Sequence, residues 1–165
     1  MISKEKTKMA LEKMYAMFPD AIGELEHQTP FQLLIAVILS AQATDVSVNK
    51  VTPHLFAAYP NAEQLANAPL ETITEYIRTI GLYRNKAKNI KRCAQQIMEE
   101  FDGNVPETRE ELMRLAGVGR KTANVVLGDA FNTPAIAVDT HVERVSKRLR
   151  ICKLDASVSE VEETL

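Results

Sequence analysis

The residues best placed to do chemistry lie between Arg109 and Phe131, where a short capped helix joins a second helix through Ala116, Gly117, Val118 and Gly119 and the chain runs on into Arg120 and Lys121. Gly117 and Gly119 can take backbone angles closed to other residues and put no Cβ between the main chain and a ligand. Their amide groups, with the positive end of the following helix, form a site for a phosphate oxygen, while Val118 can plug the hairpin into an apolar core. Contacts of this kind grip DNA without reading its sequence. The plainer alternative is a tight helix-helix turn whose glycines serve geometry alone. Lys121 falls in the first turn of the second helix, where the helix dipole and Arg120 both disfavour a positive amine. A neutral amine can attack a sugar C1′, expel the base and leave a Schiff base that permits strand cleavage by β-elimination. The ordinary alternative for one lysine there is a phosphate contact.

Asp139 follows the apolar run Ala135 to Val138 and precedes Thr140, His141 and a basic helix containing Arg144. The commonest task of an aspartate in that place is to cap the helix. A capping carboxylate near Lys121 can also accept a proton and stabilise an oxocarbenium-like sugar, the charge logic of glycoside hydrolysis. His27, His54 and His141 show no metal-ligand spacing.

Helical signals recur along the whole chain, and strand signals hardly appear. Ser3 can cap a helix reaching Phe18, with Met9, Leu11, Met14, Tyr15 and Phe18 on one broad side that needs a partner. Thr29 and Pro30 open a helix to about Gln42 that is apolar nearly all round, hence central and buried. Asp45 is expected to cap the next helix, towards Tyr59, with Pro53 kinking it or ending its first part. Asn61 and Pro69 start two short helices. Tyr83 to Phe101 reads as a longer helix closed by Asp102 and Gly103, and Thr108 with Glu111 makes a capping box. Helices around Gly119 to Phe131 and Thr140 to Ile151 flank an extended stretch, Asn132 to Val138, read as a loop. Roughly nine or ten helices with short turns define an all-α class. One internal echo appears, TIGLYRNKAKNI against LAGVGRKTANVV, which sets Gly81 on Gly117, Arg84 on Arg120 and Ala87 on Ala123.

With 45% hydrophobic and 25% charged residues among 165, the chain can bury a sizeable core, which excludes a disordered protein. A net charge of −2 gives no global sign of a nucleic-acid partner, so only charge distribution can supply one. Arg84, Lys86, Lys88, Lys91 and Arg92 form one basic run, and Arg144, Lys147, Arg148, Arg150 and Lys153 another. Such runs permit a basic face, although a solvated helix face is the simpler reading. Cys93 and Cys152 lack the spacing of a zinc site or a disulfide framework, which fits a reducing cytoplasm. No signal peptide or membrane span is expected.

LAGVGRKTANVV followed by VDTHVERV resembles the helix-hairpin-helix DNA glycosylase superfamily, and LLIAVILSAQATDVSVNKV with IRTIGLYRNKAKNI is similar to its endonuclease III branch. The resemblance implies that fold, as a helical barrel domain with a second helical lobe. It also implies a bifunctional DNA glycosylase and AP lyase acting on oxidised, ring-saturated or fragmented pyrimidines in double-stranded DNA. Lys121 then matches the nucleophile and Asp139 the essential aspartate. Gln42 matches the residue that fills the space left by a flipped nucleotide, and Leu82 a wedge inserted into the opposite strand. Flipping is physically required, since C1′ and the lesion cannot be reached within the stack. Gly117, Val118, Gly119, Arg120, Thr140, His141 and Arg144 complete the expected DNA contacts. A neighbouring branch, the adenine-specific mismatch glycosylases, is the rival, but it carries a glutamate where this chain has Val37 and lacks the lysine found at Lys121.

Two departures from the family stand out. Ala116 occupies a position where the hairpin usually has proline, which should loosen the turn slightly without removing an N–H donor. The family's [4Fe–4S] cluster needs four closely spaced cysteines, and Cys93 and Cys152 cannot supply them. Hence no cofactor is expected in this chain. Truncation is favoured over a cluster-free variant, leaving residues 1–21 as a helix packed on a second lobe, 22–133 as the core domain and 134–165 as the start of that lobe. The complete protein is expected to be a monomer with no membrane partner. The competing classes are a non-catalytic helix-hairpin-helix module that only binds DNA, and a helical interaction domain that would leave the hairpin and its basic start unexplained.

Overall fold

The computed structural model describes residues 1–20 and 23–165, and among them no β-strand occurs. The boundary expected between residues 21 and 22 lies outside the described residues. Ten helices follow one another among those described: α1 (Lys4–Met17), α2 (Pro30–Ser40), α3 (Asp45–Ala58), α4 (Ala62–Asn67), α5 (Leu70–Tyr76), α6 (Tyr83–Glu100), α7 (Arg109–Leu112), α8 (Arg120–Phe131), α9 (Thr140–Arg148) and α10 (Val158–Thr164). None is long and apolar enough to cross a membrane. The chain divides into two compact units, one of Glu24–Ala135 and one of Met1–Gly23 with Ile136–Leu165.

The larger unit is built around α2. Thr29 caps this helix by accepting from Gln32 N, Pro30 presets its first turn, and every residue from Phe31 to Leu39 is buried. A helix apolar all round must lie inside, and α3, α6 and α8 pack against it. Burying a large aliphatic side chain contributes about 1.5–3 kcal/mol, so Leu33, Leu34, Ile35 and Leu39, all fully buried, make α2 the fixed axis for its neighbours. The amphipathic α6 turns Ala87, Ile90, Cys93, Ala94 and Ile97 inward against α4, α5 and α2.

Two expectations for α3 need correction. Its N-cap is Thr44, whose hydroxyl accepts from Ser47 N, so Asp45 is the first helical residue rather than the cap. Pro53 does not end the helix, which runs on through it to Ala58. An interior proline costs about 3 kcal/mol, and burial of Val48, Val51, Leu55 and Phe56 on both sides of it offsets that cost.

In the smaller unit α9 and α10 pack together around Val138, Cys152 and Val161. Ser157 and Glu160 form a reciprocal capping box at the start of α10, and its hydrogen bonds from Ser157 hold the Glu160 carboxyl below the usual range. Helix α1 is capped by Ser3 and buries no residue; Met9, Tyr15 and Phe18 are among its exposed large apolar side chains. Ile2 N donates to the carbonyl of Arg150 at 2.7 Å within this unit.

Candidate active site and nucleic-acid interface

Within the larger unit, α7 and α8 form a helix-hairpin-helix. Thr108 caps α7 by accepting from Glu111 N, and Arg109 Nε donates at 2.8 Å to Oδ1 of Asn124, a buried residue of α8. That bond ties the first residue of one helix to the middle of the next. Between the helices Val118 N donates to Leu115 O at 3.2 Å, and the Val118 side chain joins the apolar core.

The two glycines of the hairpin differ. Gly117 has φ +79, and an added Cβ would lie 3.1 Å from Ile38 Cγ2 and 3.2 Å from Asn89 Cβ. It is needed both for its left-handed backbone and for close packing on α2 and α6. Gly119 is extended, φ −98 and ψ −176, so the expectation of an angle closed to other residues fails there. Its Cβ would meet nothing within 4 Å. As the N-cap of α8, Gly119 has no side chain to cover the first turn, and the open space in front of it leaves room for a ligand oxygen. Arg120 and Lys121 follow at once, and Lys121 is exposed at the second position of α8.

Gln42 and Leu82 both adopt positive φ, 56° and 59°. For residues with a Cβ this conformation costs roughly 1–2 kcal/mol. Asp102, Asn132 and Arg150 share it; the short polar side chains of Asp102 and Asn132 tolerate it, whereas Gln42, Leu82 and Arg150 have no such local excuse. Gln42 and Leu82 are both exposed, Leu82 by 59%. Gln42 lies just beyond the C-terminus of α2, and Leu82 is the N-cap of α6. Lys86 links those two helix ends: it is 5% exposed, and its Nζ donates at 2.9 Å to the carbonyl of Leu39 near the end of α2. Burial pushes its pKa down. Sequence reasoning placed Lys86 in a basic surface run and missed this role.

That run is therefore not one surface. Lys86 points inward, and Lys91 Nζ donates to the carbonyls of Ala66 and Ala68 at the end of α4, leaving Arg84, Lys88 and Arg92 exposed, with Arg92 3.4 Å from Glu99.

In the smaller unit Asp139 caps α9, one carboxylate oxygen accepting from His141 N at 3.0 Å and Val142 N at 2.8 Å. Arg144 Nη2 donates to His141 Nδ1 at 3.1 Å, which places the ring proton on Nε2. Thr140 and His141 are exposed at the helix start. Lys147 pairs with Glu143 at 2.6 Å, which withdraws one charge from the second basic run. Lys121 thus belongs to the larger unit and Asp139 to the smaller.

A glycine-turned hairpin with a lysine at its helix start is thus carried on an all-helical core. Residues 35–165 match the family described as HhH-GPD superfamily base excision DNA repair protein, and the chain belongs to that superfamily. Within it, the chain is 54% identical to Endonuclease III of Bacillus subtilis (strain 168), covering 100% of this chain and 75% of that one. To Endonuclease III of Escherichia coli (strain K12) it is 46% identical, covering 99% and 77%. A solved structure of a trapped Endonuclease III–DNA covalent intermediate superimposes with a TM-score of 0.94 at 56% identity, over 100% of this chain and 78% of that one. A thermostable thymine-DNA glycosylase shares the fold, with a TM-score of 0.84 at 24% identity over 97% and 78%.

Proposed function

We propose that this protein acts in base excision repair as a DNA glycosylase and AP lyase on double-stranded DNA, removing oxidised or otherwise damaged pyrimidines. The observation that carries the reading is the likeness, at 56% identity over the whole chain, to an Endonuclease III trapped as a covalent intermediate with DNA. A covalent step needs a nucleophile, and Lys121 stands exposed beside a turn suited to a phosphate. Nothing favours the module that only binds DNA.

In the proposed reaction the Lys121 amine attacks C1′, and the glycosidic bond breaks with its electron pair leaving on the base, which takes up a proton. Ring opening gives the imine. Removal of a C2′ proton then expels the 3′ phosphate by β-elimination. Asp139 accepts a proton and stabilises positive charge at the sugar; its two amide donors fix the carboxylate in one orientation. Gly117, Val118, Gly119 and Arg120 hold one strand by its phosphates, Thr140, His141 and Arg144 make further contacts, and Gln42 and Leu82 occupy the space vacated by the flipped nucleotide.

The endonuclease III branch carries a [4Fe–4S] cluster on four cysteines. The residues of this chain do not fit one: its two cysteines are buried in different units, and no group of three or more His, Cys, Asp or Glu among the described residues could hold a metal. No step above runs through a cluster. Two buried, unbridged thiols suit work in the cytoplasm.

Borohydride reduction on abasic duplex DNA tests the proposal. The wild-type chain should be trapped as a covalent adduct, and Lys121→Gln should bind DNA without being trapped. An undiminished adduct from that variant would remove Lys121 from the mechanism.

A further inference from the structure

One side chain of α6 holds the entry to the hairpin turn. Gln96 Nε2 donates to the carbonyl of Arg114 at 3.1 Å, and its Oε1 accepts from the amide of Ala116 at 2.8 Å. The two contacts fix the side-chain amide in one sense, because a flipped amide would set donor against donor. Gln96 is half-buried beside the buried Ile97 of α6, so its anchor is a long helix packed on the core. The turn it grips contains Gly117, whose left-handed backbone is also the most permissive.

We propose that Gln96 is a positioning residue for DNA binding: it sets the hairpin turn in the conformation that receives a phosphate. The role rests on the reading of the hairpin as a phosphate site. Residue 116 is central to it. The Ala116 amide is used by Gln96, and a proline at that position, the usual residue in the family this chain resembles, has no amide to give. Proline restrains such a turn through its own fixed φ, and here Gln96 supplies the restraint from outside.

Gln96→Leu, Ala116→Pro and the double variant test this, each checked first for a native helical spectrum. Amide hydrogen exchange of the turn without DNA, and affinity for a duplex with a non-cleavable abasic analogue, are the two readouts. Gln96→Leu should speed exchange at Val118 and Gly119 and weaken binding roughly five-fold, the equivalent of one ordinary hydrogen bond. It should raise KM for the abasic duplex and leave kcat unchanged. Ala116→Pro should restore affinity in the Gln96→Leu background, since it needs no acceptor, and should give no gain in the wild type. Unchanged exchange in Gln96→Leu, or equal effects of Ala116→Pro in both backgrounds, would overturn the positioning role. Faster exchange with unchanged affinity would instead show that the turn does not hold the phosphate, and the role towards DNA would fall with that reading.

Discussion

Replacing each hairpin glycine by alanine should separate folding from binding. At Gly117 the new Cβ brings two costs. The φ of +79 places a side chain in the left-handed region, roughly 1–2 kcal/mol. Contacts of 3.1 Å to Ile38 Cγ2 and 3.2 Å to Asn89 Cβ are tighter than ordinary packing and add about 1–3 kcal/mol of strain. Ile38 lies on the central helix and cannot yield freely. Gly117→Ala should therefore lose about 2–5 kcal/mol, a large share of the roughly 5–15 kcal/mol that holds a domain together. At Gly119 the backbone is extended and the Cβ meets nothing within 4 Å, so Gly119→Ala should lose less than about 1 kcal/mol, mainly from weaker capping. In the proposed phosphate site that Cβ would stand in the path of the ligand oxygen, so affinity for abasic duplex should fall several-fold. Urea unfolding followed by circular dichroism gives the first quantity and fluorescence anisotropy the second. A Gly117→Ala protein within about 0.5 kcal/mol of wild type, or a Gly119→Ala protein equally destabilised, would refute the reasoning.

Gln42→Ala and Leu82→Ala should slow excision of a damaged base more than cleavage at a preformed abasic site, because side-chain insertion offsets the few kcal/mol of unstacking; equal losses on both substrates would indicate folding damage. Burial raises the Cys93 thiol to about 12 from 9.0, so the folded state keeps a proton that the unfolded chain releases above pH 9. The resulting stability is complete below pH 9 and declines between pH 9 and 12, by about 1.4 kcal/mol between pH 8 and pH 10. Urea midpoints at those two pH values should show a smaller drop for Cys93→Ala than for wild type, and parallel drops would contradict the assignment.

Local chemistry made most helix starts legible. Thr29 before Pro30, Asn61 and Asp139 announce themselves because a cap and its amides lie within a few residues. Pro53 misled as a helix end for the opposite reason: its local cost is real, and distant burial outweighs it. The sequence also cannot say which glycine of a pair takes the left-handed angle, since Gly117 is selected by contacts with Ile38 and Asn89 on other helices. Lys86 and Gln96 were illegible as site residues for a related cause. Their partners are backbone atoms far along the chain, 47 residues away for Lys86 and 18 and 20 for Gln96, and no side-chain pattern advertises a carbonyl.

Helix α6 has one further consequence, for insertions and deletions. It starts immediately after Leu82 and carries Gln96 near its far end, so the proposed wedge residue and the side chain that holds the hairpin entry are mounted on one rod. At 1.5 Å per residue they stand about 21 Å apart along its axis, and each residue fixes about 100° of rotation between them. A single residue added or removed between Lys88 and Arg92 would swing Gln96 by that angle, off the hairpin and onto another face, while also turning Ile97 out of the core. Point substitutions on the outer face of α6 are forgiven; a change of its length is not. An inserted or deleted residue should be tolerated in a loop such as the stretch from Asp102 to Glu107, and not between Leu82 and Gln96.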